Sequence, residues 1–273
     1  MKKLLILTLM IGTAVLSFYF YFHNVGRLQA NVNEIFVTSA EVPQAFNGAR
    51  VMQISDLLIR NQACLELLAN VVETVNILQP EVVVFTGNLF LPSGLAFAEQ
   101  TAALLSNLDA RLVKISVFGY HDLPNAELVE ELLSEAGFRH LNNSSFQMFD
   151  QSPIGINVIG ANPANDRDTM VNLLDAHAST MRFNLLLTSI PTFSALSIEH
   201  LVDLQLAGHC LATQDTTAIS APCFQFYNGT YQFADRLILH VSPGLARFHT
   251  LSGLFRQPII NSFLLRSSST IEE

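Results

Sequence analysis

The sequence contains no tryptophan, and only 14% of its 273 residues are charged. Basic residues are scarce, because 14 lysines and arginines stand against 23 aspartates and glutamates, for a formal net charge of −9. Binding to nucleic acid requires a basic surface that neutralises phosphates, so the sequence predicts no nucleic-acid partner. The three cysteines, Cys64, Cys210 and Cys223, are too few for a disulfide scaffold and lack the Cys-x-x-Cys spacing of a zinc site.

Hydrophobic residues are abundant, at 50% of the chain. That proportion supports one sizeable core and excludes a disordered polymer. Residues 31–273 contain no linker, charge block or internal repeat, so we expect them to form a single domain. Residues 1–30 differ in composition, and we interpret them as a membrane anchor followed by a short stalk.

The anchor prediction rests on residues 4–22, which are 19 consecutive uncharged and mostly apolar positions. A helix needs about 20 such residues to cross the hydrocarbon core of a bilayer. Lys2 and Lys3 precede the run, whereas Arg27 alone follows it, which favours a cytoplasmic amino terminus. The sequence therefore predicts a single-pass protein of the cell membrane with its domain on the extracytoplasmic side.

A cleaved signal peptide is the alternative, with Leu28-Gln29-Ala30 as the nearest cleavage site. The apolar run is longer than the usual signal core and Leu28 is not small, so we favour the anchor. In either case the domain is exported, and Cys210 and Cys223 are then free to form a disulfide.

Short aliphatic runs alternate with helical periods through the first two thirds of the domain. The predicted strands are Val51–Ser55, Val82–Thr86, Leu112–Phe118, Ile156–Ile159 and Leu185–Thr188. The predicted helices are Leu65–Leu78, Leu95–Leu108 and Leu128–Leu133. This alternation predicts an α/β fold with a mostly parallel stretch of sheet.

The carboxyl-terminal third has strand patterns without long helices between them. The predicted strands are Phe224–Phe226, Tyr231–Phe233, Leu237–Val241 and Ile259–Leu265. We expect them to form a second, more antiparallel sheet. The predicted fold is therefore α/β, with two packed mixed β-sheets flanked by helices, after an amino-terminal transmembrane helix.

Polar or glycine-containing segments follow five strands, at the edge where α/β proteins place their sites. They read Ser55-Asp56-Leu57-Leu58, Thr86-Gly87-Asn88-Leu89, Gly119-Tyr120-His121-Asp122, Leu187-Thr188-Ser189-Ile190-Pro191 and Ala207-Gly208-His209-Cys210-Leu211. In order and spacing these segments resemble the motifs of the calcineurin-like metallophosphoesterases. The likeness is closest to the bacterial branch with a membrane segment, in which Tyr227-x-Gly229-x-Tyr231 and Ser242-Pro243-Gly244-Leu245 also have similar counterparts.

The resemblance implies an αββα sandwich and, in the family, seven side chains that hold two metal ions for phosphoester hydrolysis. Two of the seven positions, Asp56 and His209, keep the family residue. The other five are changed, and the residues now present are Leu58, Asn88, Tyr120, Ser189 and Leu211.

The chemistry of these five changes weakens the site. Leu58 and Leu211 have no lone pair, and Tyr120 and Ser189 offer only weak neutral oxygens. Asn88 stands where the family has the bridging aspartate, and an uncharged amide cannot compensate the repulsion between two dications. We therefore interpret the protein as a pseudoenzyme that acts by binding, without a metal cofactor.

Two other interpretations stay open. One is a phosphohydrolase with a rebuilt site around a single divalent ion, such as Mn, Fe, Zn or Mg. The other is a structural protein with a closed former site. By analogy of fold, the ligand of a binding protein would be phosphorylated or a membrane lipid.

His121 and Asp122 correspond to the family's pair near the leaving group. General acid catalysis supplies about 10² to 10⁴-fold, too little for phosphoester hydrolysis without a metal-bound nucleophile, so their retention does not predict turnover. Each has a structural alternative: Asp122 as a helix N-cap, and His121 as a hydrogen-bonding side chain, like His209. Similarly, Asp56 could accept backbone N–H bonds in its turn, and we interpret His240 as a sheet residue.

Overall fold

The computed structural model describes residues 2–24, 30–208, 225–233, 236–246 and 257–268. Within these ranges the chain forms two six-stranded sheets, six α-helices and three short 3₁₀ helices. The first sheet has the strand order β1-β12-β2-β3-β4-β5. Its strands are β1 (Asn31–Ser39), β2 (Arg50–Ile54), β3 (Val82–Phe85), β4 (Val113–Ser116), β5 (Phe138–His140) and β12 (Ile259–Ser267).

The second sheet has the order β10-β11-β9-β8-β7-β6. Its strands are β6 (Ser144–Met148), β7 (Ile156–Gly160), β8 (Asn184–Leu187), β9 (Leu204–Ala207), β10 (Gly229–Phe233) and β11 (Leu237–Val241). Both sheets are mixed. The strands β2 to β5 run parallel and β12 runs antiparallel to β2, while β7, β8, β9 and β11 run parallel between two antiparallel edge strands.

The helices are α1 (Lys2–Asn24), α2 (Gln62–Leu78), α3 (Ala98–Ser106), α4 (Ala126–Glu135), α5 (Arg167–His177) and α6 (Ser194–Glu199). The helix α2 begins at the N-cap Asn61, whose side-chain oxygen accepts the backbone N–H of Cys64 at 3.2 Å. Its apolar face packs on the outer face of the first sheet in one core, which also includes α3 and α4. The helices α5 and α6 cover the second sheet through a separate core.

The two sheets face each other across a core of aliphatic and aromatic side chains. Val51 and Val84 of the first sheet and Leu185 and Leu206 of the second are completely or almost completely buried in it. Since each strand alternates its side chains between two apolar faces, the near-continuous hydrophobic runs in the sequence follow from this layering. The prediction of two mixed sheets flanked by helices is confirmed.

The carboxyl-terminal strands were expected to form one sheet, but they are divided between the two sheets. The strand β12 crosses to the first sheet, where it lies between β1 and β2, so the prediction of a single carboxyl-terminal sheet is wrong. The predicted strand Phe224–Phe226 is also wrong in its described part, because Gln225 and Phe226 are not in a strand. The predicted strand Ile259–Leu265 lies within β12, but the place of β12 in the sheet depends on its pairing with β1, which is not among the predicted strands.

The predicted amino-terminal helix is present as α1, which has 23 residues. Its described apolar side chains are exposed, including Ile6 at 58%, Leu9 at 69% and Leu16 at 69%. Among the described residues, no helix combines the length and the hydropathy needed to span a bilayer.

Candidate functional site

Three loops meet where β2, β3 and β4 end. The backbone N–H of Asp56 donates to the carbonyl of Gly87 at 3.0 Å, and that of Leu58 donates to the carbonyl of Asn88 at 3.0 Å. The third loop approaches so closely that a Cβ atom on Gly119 would lie 2.3 Å from the Asn88 side-chain oxygen. Glycine at position 119 therefore allows the loops after β3 and β4 to touch.

Left-handed backbone is concentrated at this point. Asp56, Leu58 and Asn88 have φ angles of 54°, 43° and 65°. Aspartate and asparagine tolerate this conformation, whereas a leucine adopts it only under strain from its surroundings. Strained residues cluster at functional sites, so the backbone retains a site-like shape even where the side chain carries no chemistry.

Asp56 and Asn88 form the centre of the site, and both side chains are completely buried. The Asn88 amide nitrogen donates to Asp56 Oδ1 at 2.7 Å, and the Ser55 hydroxyl donates to Asp56 Oδ2. The Asn88 amide oxygen accepts the backbone N–H of His121 at 3.0 Å. Because a backbone N–H can only donate, the oxygen of Asn88 must face His121 and its nitrogen must face Asp56.

The orientation of the Asn88 amide determines whether two metal ions could bind at this position. A metal needs oxygen or nitrogen lone pairs that converge on it. The atom that Asn88 presents to Asp56 is an N–H donor, so it faces the carboxylate in the way that a cation would. The described residues at this position therefore do not fit the two metal ions of the family.

Asp122 lies beside this pair and is 1% exposed. Its carboxylate accepts three backbone N–H groups, from Asn88 and Leu89 at 2.7 Å each and from Gly119 at 2.8 Å. Burial raises the pKa of the Asp122 carboxyl above its ordinary value, although the three hydrogen bonds act in the opposite direction. Of the two alternatives for Asp122, the N-cap role is met in position only: Asp122 stands at the N-cap of the 3₁₀ helix Leu123–Asn125, but its side chain makes no capping hydrogen bond.

Tyr120 and His121 lie at the surface of the same loop. Tyr120 is 44% exposed, and His121 is exposed as well. His121 and Asp122, predicted as a pair, therefore lie in different environments. The His121 side chain faces solvent, whereas the buried Asp122 carboxylate connects two loops through hydrogen bonds. This group of three loops contains six of the candidate site residues: Asp56, Leu58, Asn88, Tyr120, His121 and Asp122.

Leu58 and Ser189 occupy two of the changed ligand positions, and both are completely buried. Ser189 follows β8, and its carbonyl accepts the backbone N–H of Gly208 at 3.0 Å. Within the described part of the chain, the Ser189 hydroxyl has no hydrogen-bond partner. It is thus a buried polar atom that no other described residue engages.

The second sheet approaches the first-sheet loops at Gly208, after β9. A Cβ atom on this glycine would lie 2.0 Å from the Ser55 hydroxyl, so the two sheets meet here without space for a side chain. His209 and Leu211 follow directly, but both lie outside the described residues, as do Cys210 and Cys223. Over the ranges that the structure describes, no group of three or more His, Cys, Asp or Glu side chains could hold a metal ion.

Sequence reasoning missed two contributors to this geometry. Ser55 was noted only as part of a motif, although its hydroxyl engages Asp56. The segment Ser242–Leu245 was noted as similar to the family, and the structure gives the reason: the backbone N–H groups of Leu245 and Ala246 donate to the carbonyls of Ser55 and Asp56 at 3.0 and 2.8 Å. Hydrogen bonds between loops that are distant in sequence leave no periodic signal.

His240 lies in β11, as predicted, and is 2% exposed between the sheets. Its Nδ1 is 2.9 Å from the Thr230 hydroxyl, and its ring packs edge-on against Phe263 with centroids 5.1 Å apart. Burial lowers the pKa of His240 to about 4. The residue is a neutral histidine of the sheet interior.

Comparisons with known proteins give two sequence relatives. The chain is 26% identical over 249 residues to the uncharacterized metallophosphoesterase YkuE of Bacillus subtilis, and the match covers 85% of this chain and 84% of that protein. It is 26% identical over 257 residues to a transmembrane protein with metallophosphoesterase domain from Danio rerio, with 86% of this chain and 56% of that protein covered. No family model matches the chain.

Among solved structures, the chain is similar to the sulfate thiohydrolase SoxB of Thermus thermophilus. The TM-score is 0.48 at 14% identity, and the match covers 74% of this chain and 52% of that one.

Proposed function

Because this chain belongs to the calcineurin-like metallophosphoesterase superfamily, we propose that it is a pseudoenzyme of that superfamily, which acts by binding rather than by hydrolysis. The observation that carries the proposal is the hydrogen bond from the Asn88 amide to Asp56 Oδ1 at 2.7 Å. The carboxylate that would bind a metal has both oxygens engaged by neutral donors instead.

The other changed positions support the same proposal. The buried Leu58 adds apolar bulk next to Asp56, and Ser189 supplies at most a weak neutral oxygen. A catalytic metal site usually has three protein ligands with good donor atoms. Among the described residues at the family's metal positions, Asp56 alone is charged. The neighbouring Asp122 carboxylate is already engaged by three backbone N–H groups.

We propose that ligands bind at the surface formed by Tyr120 and His121, above the buried pair. These two side chains are exposed, whereas Asp56, Leu58 and Asn88 are completely buried and unavailable to a ligand. The hydroxyl of Tyr120 and the imidazole N–H of His121 can donate hydrogen bonds to a phosphorylated group or to a lipid headgroup.

We also propose that α1 anchors the protein in the cell membrane, with the domain on the extracytoplasmic side. Support comes from the apolar side chains between Ile6 and Phe18, which are exposed by 55% or more at eight positions. A helix of 23 residues is about 34 Å long, close to the roughly 30 Å of the hydrocarbon core. The relative from Danio rerio is itself named as a transmembrane protein.

A purely structural role is the second candidate function. The complete burial of Asp56, Leu58 and Asn88 favours it, because a closed former site needs no ligand. The two candidates differ at Tyr120 and His121, whose exposed side chains matter for binding and not for the stability of the fold.

The first experiment measures metal and activity on one sample. The full chain is purified in detergent without chelator, its metal content is determined by elemental analysis, and hydrolysis of a generic phosphodiester is assayed with added Mn²⁺. We expect far less than one metal per chain and no turnover above that of the Asp56→Ala variant. One metal per chain, with turnover that Asp56→Ala abolishes, would overturn the pseudoenzyme proposal in favour of a rebuilt enzyme.

A restored variant provides the positive control. It combines Leu58→His, Asn88→Asp, Tyr120→Asn, Ser189→His and Leu211→His, which return all five changed positions to the family's residues. If the changed residues are the reason for inactivity, the restored chain should bind Mn²⁺ where the natural chain does not. Equal metal content in the two proteins would contradict this explanation.

Ligand binding is tested with vesicles and with phosphate. Inorganic phosphate and vesicles that contain anionic phospholipid are each titrated against the natural chain and the Tyr120→Ala/His121→Ala variant. Binding that the double substitution weakens at least about tenfold supports the binding role, and a tenfold change corresponds to about 1.4 kcal/mol. Identical behaviour of both proteins supports the structural role.

The anchor is tested by fractionation in alkaline carbonate. We expect the natural chain to remain with membranes, and a variant with Leu9→Arg and Leu16→Arg to be released, because charge at the centre of a bilayer is costly. Protease added outside intact cells should degrade the domain. Release of the natural chain by carbonate would refute membrane anchoring.

A further inference from the structure

The strand β1 begins at the same end of the sandwich as the candidate site. It runs parallel to β12, which runs antiparallel to β2, so β1 starts where β2 ends. Asn31 pairs with Ile259. Two residues further along β12, Asn261 pairs with Gln53 of β2. Asn31 therefore lies level with Ser55, at the start of the first loop of the site.

The connection between α1 and β1 is short. The helix ends at Asn24 and the strand begins at Asn31, so six residues, 25–30, join them. Because an extended chain spans at most about 3.6 Å per residue, Asn31 lies within about 25 Å of the end of α1. The nine residues of β1 extend about 27 Å towards the opposite end of the sandwich. The connection is thus too short to place that opposite end against a bilayer that contains α1.

Tyr227 lies at the same end as the three loops of the site. Two residues after it, β10 begins at Gly229, which pairs with Val241 at the end of β11. Val241 in turn pairs with Ala207, the last residue of β9, and the next residue, Gly208, meets the loop after β2. We call this end of the sandwich, with the loops after β2, β3 and β4 and the turn before β10, the site edge.

The site edge exposes side chains that suit a membrane interface. Tyr120 is 44% exposed and Tyr227 is 42% exposed. Leu128, in the first turn of α4 after the third loop, is 38% exposed. Tyrosine is enriched at the level of lipid headgroups, because its ring is apolar and its hydroxyl is polar. The exposed His121 adds a ring N–H that can donate to a phosphate oxygen.

The opposite end of the sandwich exposes apolar side chains as well. Phe149 and Ile154 lie between β6 and β7, and Met181 precedes β8, and all three are exposed. Exposure of apolar residues alone therefore does not determine which end faces a membrane. The length of the connection from α1 to β1 does, because it reaches the site edge and not the opposite end.

On the basis of the membrane anchor proposed above, we propose that the site edge faces the bilayer that contains α1, and that its ligand is a phospholipid headgroup of that bilayer. The headgroup phosphate accepts hydrogen bonds from the Tyr120 hydroxyl and the His121 ring. A short tether gives the two binding partners an effective concentration in the millimolar range, so a few hydrogen bonds suffice for binding. Free phosphate in solution has no such advantage.

Tryptophan fluorescence tests the orientation. The sequence contains no tryptophan, so a single substitution introduces a unique fluorophore. Tyr227→Trp places it at the site edge, and Phe149→Trp, the matched control, replaces an exposed aromatic residue at the opposite end. The full chain is reconstituted into phosphatidylcholine vesicles in which a fraction of the lipid carries a nitroxide quencher on the headgroup. We expect quenching of Tyr227→Trp to be at least about twofold stronger, because the tether is shorter than the sandwich.

Flotation of the same vesicles in a density gradient distinguishes the two ways in which this experiment can fail. A chain that does not float with the vesicles refutes the membrane anchor, and this inference with it. A chain that floats, but in which Phe149→Trp is quenched as strongly as Tyr227→Trp or more strongly, refutes the orientation and leaves the anchor intact.

A longer tether tests the headgroup as the ligand. About 20 glycine and serine residues inserted between Ala30 and Asn31 form a flexible coil that no longer holds the site edge at the bilayer. Quenching of Tyr227→Trp should persist in this variant if the edge binds headgroups. It should fall to the level of Phe149→Trp when Tyr120→Ala and His121→Ala are added.

Inorganic phosphate distinguishes the lipid from a soluble ligand. When it is added to the vesicles, quenching of Tyr227→Trp in the long-tether variant should remain unchanged, because the headgroups are present at far higher local concentration. Loss of quenching on addition of phosphate would assign the surface to free phosphate instead. Loss of quenching on lengthening of the tether alone would refute headgroup binding.

Discussion

The loops after β2, β3 and β4 and the loop after β8 reach the same edge of the sandwich, but their polar groups are satisfied to different degrees. In the first group, Asp56, Asn88 and Asp122 use their side-chain oxygens for hydrogen bonds to neighbouring loops. In the second, the Ser189 hydroxyl is completely buried and has no partner within the described chain.

This difference follows from the cost of burying each kind of polar group. A carboxylate cannot remain buried without a counter-charge or hydrogen bonds, because desolvation of an ion costs several kcal/mol. A hydroxyl without a partner costs only about 1–3 kcal/mol. The buried carboxylates therefore require donors such as the Asn88 amide, whereas the loop after β8 tolerates one buried hydroxyl without a partner among the described residues.

The largest change in stability should follow from Asp122→Ala, which removes hydrogen bonds from the loops after β3 and β4. Three backbone N–H groups would lose their buried acceptor, and each unpaired group costs about 1–3 kcal/mol. We expect the free energy of unfolding in urea to fall by at least about 3 kcal/mol. As a control, Asp166→Ala removes an exposed N-cap that accepts one N–H, from Thr169, and should cost about 1 kcal/mol. Equal losses in the two variants would contradict the role assigned to Asp122.

A somewhat smaller effect should come from acid, through His240 between the two sheets. Its pKa is about 4 in the folded chain and 6.5 in the unfolded chain, so the unfolded chain binds the proton first as the pH falls. The stability associated with the neutral ring is complete above about pH 6.5 and is lost as the pH falls towards 4, by up to about 3 kcal/mol.

Urea unfolding of the natural chain and of His240→Asn at pH 7 and pH 4.5 measures this contribution. The natural chain should lose more stability between the two pH values than the variant. The same loss in both proteins would assign the acid sensitivity to other groups.

The smallest effect, with the opposite sign, should come from Ser189→Ala. Removal of a buried hydroxyl without a partner should stabilise the fold by about 1 kcal/mol, since no hydrogen bond is lost. Asn88→Ala removes the hydrogen bonds of the Asn88 side chain with Asp56 and His121 and should destabilise the fold instead. If thermal unfolding shows that both substitutions destabilise, the contrast between the two groups of loops is wrong.

Much of the fold was predictable from the sequence, because buried parallel strands such as β3 read as continuous apolar runs. The three-residue β5 and the mostly exposed β1 were not predicted, since short or exposed strands carry little hydrophobic signal. Their pairing is determined by tertiary contacts rather than by local pattern.

The candidate site was likewise predictable from the sequence only in part. Its residues were predictable from motif order, and the loss of lone pairs at Leu58 follows from residue type alone. The direction of the Asn88 amide was not predictable, because it depends on the backbone N–H of His121 from another loop. The role of Asp122 likewise depends on three N–H groups that meet only in the folded chain.

The pairing of β1 with β12 has a consequence for synthesis. The ribosome produces β1 near the start of the domain and β12 near its end, yet residues Asn31–Ser39 align with Ile259–Ser267 along their whole length. Domains generally fold as units, and pairing between distant segments is slow. The first sheet can close only after β12 has been synthesised, so the growing chain remains without its completed first sheet until then.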